Sequence, residues 1–322
     1  MLSRHAEDLY WLGRHLERAA DTARMLDVTF HALLESPPAE AAHVWHRLLE
    51  TLHLATAFKA EHDTANDQTV PAFLVTDASN EGSIISAVWR ARENARGVRE
   101  LLSTELWEAV NSFWLEIDGL DVDRELAVQP YSLLRLVRRR CQEVAGAALD
   151  TMSHDDGWRF LSLGSMIERA EVGVRLLRVR FQAEDDEPVE FDYNEAVELL
   201  KCASGLEAFR RTHPGAPTTA NLLSFLLLAP TFPRSVLYSV AAAESQLGAL
   251  LPGDRLSRPQ RVIGRLRADL EFTDVHELLG GPTGQLLDRV LNDVRWAAEL
   301  IGVQFFRNAD DLGVLHAVEA SS

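Results

Sequence analysis

Two Glu-Arg dipeptides sit in closely similar settings, LGRHLERAADTARMLDV at residues 12–28 and LGSMIERAEVGVRLLRV at 163–179. Gly13 aligns with Gly164, Glu17 with Glu168, Arg18 with Arg169, Ala19 with Ala170 and Arg24 with Arg175, at one offset throughout (164 − 13 = 151). A carboxylate in such a setting can hold an amine or act as a general base, and the guanidinium groups can grip a carboxylate or phosphate. On a helical wheel Leu9, Leu12, Leu16, Ala19, Ala23 and Leu26 form the apolar stripe, and Gly13, Glu17, Ala20 and Arg24 lie beside it. Charges so close to a buried stripe are at least partly desolvated and must be paired. Two readings follow: an ion-pair lattice that fixes helix register, or a polar pocket between two helices. Glycine inside a helix costs roughly 1 kcal/mol against alanine, so Gly13 and Gly164 point to close backbone approach. The expectation is that the two helices cross at these glycines, with Glu17, Arg24, Glu168 and Arg175 around a pseudo-twofold axis.

A second group lies in WRARENARGVRELLSTELWEAVN, residues 89–111. Arg92, Arg96 and Arg99 fall at i, i+4 and i+7, with Glu93 and Asn94 between them, so one helix would stack three guanidinium groups on a face. They call for an anionic ligand or for neutralisation by Glu93, Glu100, Glu105 or the repeat glutamates. A third group is Arg234 and Ser235, just after Pro233, where the free N–H groups of a helix start can bind an anion and Thr231 can cap. Metal and nucleotide chemistry find less support. EAAH (40–43) and ETLH (50–53) match the Glu-x-x-His unit of carboxylate-bridged metal bundles, but both fall on one helix where such sites draw on several. HExxH, GxxxxGK[ST], GxSxG and GxGxxG are all missing from the sequence. Cys141 and Cys202 have no metal or redox spacing and read as reduced, buried thiols. No metal and no cofactor of the chain's own is expected.

The elements that must position these residues are helical. Apolar spacing near 3.6 runs through residues 4–33, 37–62, 81–111, 129–150, 155–182, 192–211, 218–228, 233–250, 258–272 and 283–307. PAFLVT (71–76) is the one short strand candidate. The reading is an all-α multi-helix bundle with an internal helical repeat, 4–33 and 155–182. It forms one body over 1–322, divisible into lobes 1–182 and 192–320 at the acidic AEDDEPVE segment (183–190). With 47% hydrophobic residues the 322-residue chain can bury a large core. A net charge of −17 repels phosphate backbones and argues against nucleic acid. MLSRHAEDLY lacks the basic, then apolar, pattern of a secretory leader, and no apolar run approaches the roughly 18 residues of a membrane span. A cytoplasmic protein is expected.

Four ordered blocks, MLSRHAEDLYWLGRHLERAADTARMLD, ARENARGVRELLSTELWEAVN, HDDGWRFLSLGSMIERAE and FPRSVLYSV, together resemble the bacterial alpha-E domain proteins, an all-helical family with a Glu-Arg motif. Glu17, Arg18, Arg24, Arg92, Glu93, Asn94, Arg96, Glu168, Arg169, Arg175 and Arg234 match its pattern. The chain departs from it with Ser165 in place of Arg, Arg178 in place of Asp and Pro230 in place of an acidic residue, so the second repeat is the less complete. Members are typically encoded beside, or fused to, circularly permuted ATP-grasp ligases, which activate a carboxylate as an acyl phosphate and pass it to an amine. The resemblance therefore implies an accessory partner of an ATP-grasp amide ligase that binds an anionic, peptide-like substrate or product. ATP and magnesium would belong to the ligase. The alternatives are an amide- or acyl-transfer enzyme using Glu17 or Glu168 as general base, and a structural scaffold. The missing nucleophile-base set and the arginines beside each glutamate, which lower its pKa, favour the accessory role.

Overall fold

A computed structural model describes residues 1–35, 37–181, 191–253 and 255–306. Among them the chain is all-α, without a strand. The first half holds α1 (Ser3–Glu35), α2 (Ala41–Thr51), α3 (Ala55–Glu61), α4 (Thr69–Val75), α5 (Ile84–Gly97), α6 (Thr104–Asp118), α7 (Val122–Val128) and α8 (Pro130–Thr151). The second repeats that order: α9 (Asp156–Arg178), α10 (Tyr193–Cys202), α11 (Leu206–Thr212), α12 (Thr219–Leu223), α13 (Val236–Leu250), α14 (Arg258–Glu271), α15 (Val275–Leu279) and α16 (Thr283–Phe305). The repeat glimpsed in α1 and α9 thus extends through the whole described chain.

Helix starts and stops are duplicated along with the helices. Ser83 caps α5 and Ser235 caps α13; Ser103 caps α6 and Ser257 caps α14. Both α2 and α10 end in a left-handed residue, His53 (φ 60°) and Ser204 (φ 51°), again 151 apart (204 − 53 = 151). The following amides close the same bond, Leu54 N–H to Leu49 C=O at 2.8 Å and Gly205 N–H to Leu200 C=O at 2.7 Å.

Each half packs its own core. Leu12, Leu16, Trp45, Phe73, Phe113 and Leu134 centre the first, and Leu163, Ile167, Phe209, Phe225, Leu266 and Val294 the second. The helices α1 and α9 lie between the cores and serve both: Leu9 and Tyr10 reach into the second, Leu161 and Val172 into the first. The anticipated lobe boundary at 183–190 lies outside the described residues, and α9 packs mainly with the second core, so the halves part near residues 152–155.

Gly13 and Gly164 explain how α1 and α9 come so close. A Cβ on Gly13 would stand 2.1 Å from the Leu161 carbonyl oxygen, and one on Gly164 2.0 Å from that of Tyr10. These two contacts are twofold equivalents (161 − 10 = 151). Neither obstacle can turn aside, because both are backbone.

Several sequence expectations need correction. PAFLVT is helix α4, not a strand; Val70, Pro71, Phe73, Leu74 and Val75 are all buried, and a short apolar run on a helix covered all round loses its periodicity. Segment 37–62 breaks at left-handed His53, and 192–211 breaks at Ser204. Segment 81–111 breaks between Val98 and Ser103, where Arg99 enters a 3₁₀ turn and Ser103 caps a new helix. Arg99 is therefore off the helix that carries Arg92 and Arg96.

Gly13→Ala and Gly164→Ala should each destabilise the protein by roughly 3 kcal/mol or more in urea unfolding, the upper range for overpacking. Gly146→Ala and Gly248→Ala, whose Cβ positions are open, should instead gain up to about 1 kcal/mol.

Candidate functional site

Beyond the glycine crossing, successive contacts advance together along α1 and α9, so the helices run parallel and bring their Glu-Arg dipeptides face to face. The pairing is reciprocal. Arg169 donates to Glu17 through Nε at 3.1 Å and Nη2 at 2.8 Å. Arg18 donates to Glu168 through Nε at 2.7 Å and Nη2 at 3.0 Å. Two-pronged guanidinium–carboxylate bonds of this kind are among the strongest polar contacts in proteins.

Each glutamate then receives one more arginine, and here the symmetry breaks. Arg14 donates Nε to Glu168 at 2.6 Å and Nη2 to Glu171 at 2.7 Å. Its equivalent is Ser165 (165 − 14 = 151), one of the departures noted in the sequence, whose hydroxyl reaches only the Gly13 carbonyl oxygen. Glu17 draws its further cation from the start of α13: Arg234 Nη2 lies 2.7 Å from Glu17, and its Nη1 donates to Asp21 at 2.8 Å, whereas the first half has Gly82 at the matching place before its Ser83 cap. Arg24 also pairs with Asp21, and Arg175 with Glu171. Arg295 of α16 donates Nε to Glu171 at 3.2 Å.

The electrostatics follow from this crowding. Burial alone would raise the glutamates, but Arg234 and Arg169 overcome it at Glu17 and hold the carboxyl at about 2. At Glu168, Arg14 and Arg18 overcome it still further and keep the group ionised far below the usual carboxylate range. A general base needs a pKa near working pH, and neither glutamate has one. Burial pushes the Cys202 thiol to about 12 and Cys141 higher, so neither is a ready nucleophile. Among the described residues no cluster of three or more His, Cys, Asp or Glu side chains is arranged to hold a metal ion.

The charges do not balance locally. Four carboxylates, Glu17, Asp21, Glu168 and Glu171, are set against seven guanidinium groups, Arg14, Arg18, Arg24, Arg169, Arg175, Arg234 and Arg295. Nε of both Arg24 and Arg175, twofold equivalents, is buried without a hydrogen-bond partner. His15 registers the same field. Its ring stacks on Trp11, its Nδ1 lacks a partner, and burial, seconded by Arg18, drives its pKa down to about 3.

The sequence-derived residues fall into separate places. Glu17, Arg18, Arg24, Glu168, Arg169, Arg175 and Arg234 meet in the network. Arg92 and Arg96 share Glu93 on the surface, where Arg92 also donates to Asn111 at 3.3 Å; Asn94 is half-buried beside them in sequence. Arg99 stacks over Trp107 at 5.2 Å beside an open cleft of about 450 Å³ that Glu100 and Ser103 also line. One shared pocket for Arg92, Arg96, Arg99, Arg175 and Arg234 is therefore not assembled. Nor is the helix start an anion site: fully buried Ser235, rather than Thr231, caps α13, and Arg234 precedes the cap and turns to Glu17. Sequence reasoning missed Arg14, His15, Asp21, Glu171 and Arg295. Arg14, Asp21 and Glu171 stand three or four residues from a repeat glutamate, on the same helix face; nothing local marks Arg295.

A family model for Alpha-E, described as a predicted alpha-helical domain with a conserved ER motif, matches residues 1–306. Uncharacterized proteins of Mycobacterium bovis and Mycobacterium tuberculosis are 25% identical over 288 residues, which covers 84% of this chain and 32% of each of theirs. This chain thus spans about a third of the length of the curated relatives it matches. No solved structure matches it.

His15 gives the network a pH signature. Its folded pKa, about 3, lies below the ordinary value of 6.5, so it favours the fold fully above pH 6.5 and loses that contribution as the pH falls toward 3. Glu17, depressed from 4.5 to about 2, loses its contribution only below pH 4.5. Unfolding free energy should therefore drop by roughly 2 kcal/mol between pH 6.5 and 4.5, and His15→Gln should remove most of that slope. Glu168→Ala, which strands Arg14 and Arg18, should cost roughly 3–5 kcal/mol at pH 7.

Proposed function

The chain belongs to the Alpha-E family, and on that premise we propose that it is a helical accessory subunit of an ATP-grasp type amide ligase, contacting an anionic, peptide-like substrate or product. The observation that carries this reading is the surplus of arginine over carboxylate along the α1–α9 seam. A protein of net charge −17 concentrates positive charge where only an anion relieves it. ATP and magnesium are the ligase's. This chain's part is to hold and orient the acidic partner of the reaction, and an ATP-consuming companion puts it in the cytoplasm.

The competing reading, amide or acyl transfer by this chain alone, requires Glu17 or Glu168 to take up a proton. Paired arginines oppose that in both cases. The mycobacterial relatives, in which the matching region is about a third of the chain, suit a module that works beside other domains. Among the described residues no helix is long and apolar enough to cross a membrane.

The test is ADP release and amide formation by an ATP-grasp ligase encoded beside this protein, given an acidic dipeptide, with and without it. The proposal expects a rate increase of at least tenfold, about 1.4 kcal/mol of transition-state stabilisation. An unchanged rate, with no complex between the two proteins in sedimentation, would contradict it.

A further inference from the structure

The surplus charge is not spread evenly along the seam. On the Glu17 side Arg24, Arg169 and Arg234 face Glu17 and Asp21, and Arg24, Glu17 and Asp21 are all buried. On the Glu168 side Arg14, Arg18, Arg175 and Arg295 face Glu168 and Glu171, leaving two cations in excess rather than one. This side also reaches solvent: the Arg295 side chain is 33% exposed.

Arg175 and Arg295 converge on a single oxygen, Oε1 of Glu171. Arg295 commits only Nε to it, so both of its terminal nitrogens keep their protons free among the described residues. Arg175 commits one terminal nitrogen, and its Nε is buried without a partner. Two guanidinium groups sharing one carboxylate oxygen repel one another, and the balance improves if a second oxyanion enters between them.

The other half of the molecule supplies a third member. His53, at the end of α2, is held left-handed at φ 60°, a conformation that suits glycine and strains most other residues. Its imidazole is exposed, and the end of α2 that carries it lies against α9 next to Arg175, since Thr51 and Leu176 line one cleft; there the ring also feels the charges of Arg175, Arg295 and Glu171. The twofold-related position is Ser204, equally left-handed. Strained backbone thus presents a hydrogen-bonding ring on the open side of the seam.

We propose that Arg175, Arg295 and His53 form an oxyanion-binding site at the junction of the two repeats, taking one carboxylate or phosphate group of a small ligand. The group sits against the free donors of Arg295 and Arg175, with the neutral imidazole donating a hydrogen bond from the first repeat. Because the site draws on both repeats, its occupation draws the two halves together. The site rests on the reading of the protein as an anion-binding accessory and gives that reading an address.

Calorimetric titration of the full chain with inorganic phosphate and, separately, with glutarate tests it and shows which oxyanion chemistry the site prefers. Arg295→Ala and His53→Gly should each weaken the preferred probe roughly ten- to hundredfold. His53→Gly keeps the fold testable, since glycine suits the left-handed backbone and should hold or raise the unfolding temperature. Arg96→Ala, a surface control, should bind as the wild type does. Equal affinity in all four proteins, or no binding of either probe at millimolar concentration, would overturn the site. The accessory reading is decided separately by the ligase rate: a chain that accelerates the ligase yet binds neither probe keeps its role and loses this site.

Discussion

The fold depends on a reciprocal exchange of charge between two parallel helices. Glu17 takes the guanidinium of Arg169, and Glu168 takes that of Arg18, by pairs of nearly parallel bonds. The exchange is possible only because Gly13 and Gly164 let the backbones touch. With any larger residue there, the helices part, and the two buried glutamates and their half-buried arginines lose the distances that pay for their desolvation. A buried ion pair is weak evidence for stability in itself, since apolar packing can replace it. Here its value lies in register. Sliding one helix along the other by a single turn would set glutamate against glutamate or leave arginines stranded in the core.

From that seam the duplication spreads outward. Each half surrounds its long helix with the same succession of helices, ended by the same serine caps and the same left-handed stops. Strict symmetry would give two equivalent sites. The chain departs from it where the polar residues sit: Ser165 replaces a counterpart of Arg14, Arg234 completes Glu17 where the first half has only Gly82, and Arg295 joins only Glu171. One side of the seam is closed and close to neutral, the other open and positive. Divergence of the halves has thus converted a symmetric clamp into a body with one distinctive face.

How much of this was legible in the sequence follows from the range of each interaction. The α1–α9 crossing was readable, because helical periodicity, an in-helix glycine and a repeated dipeptide all bear on one helix. The remaining duplication was not, since the outer helices preserve apolar spacing and caps without preserving residue identity. His53 and Ser204 carry the same backbone conformation under different side chains. Segment 71–76 misled because a helix buried all round shows no periodicity. Arg99 misled because the apolar spacing of α5 runs on past Gly97 through Val98 and Leu102, which masks the stop that the glycine marks. Arg295 lies in contact with Glu171 across 124 residues of sequence, a distance at which only folding reveals a partner.

The central claim is that the two Glu-Arg dipeptides are energetically coupled across the repeat. It is tested most directly by a double-mutant cycle on Arg18 and Glu168, with Arg18→Ala, Glu168→Ala and the double variant compared with the wild type in urea unfolding. Coupled buried charges predict that the double variant is more stable than the sum of the single losses requires, by roughly 2 kcal/mol or more. Additivity within about 0.5 kcal/mol would contradict the account and leave the repeated dipeptide as a trace of ancestry alone.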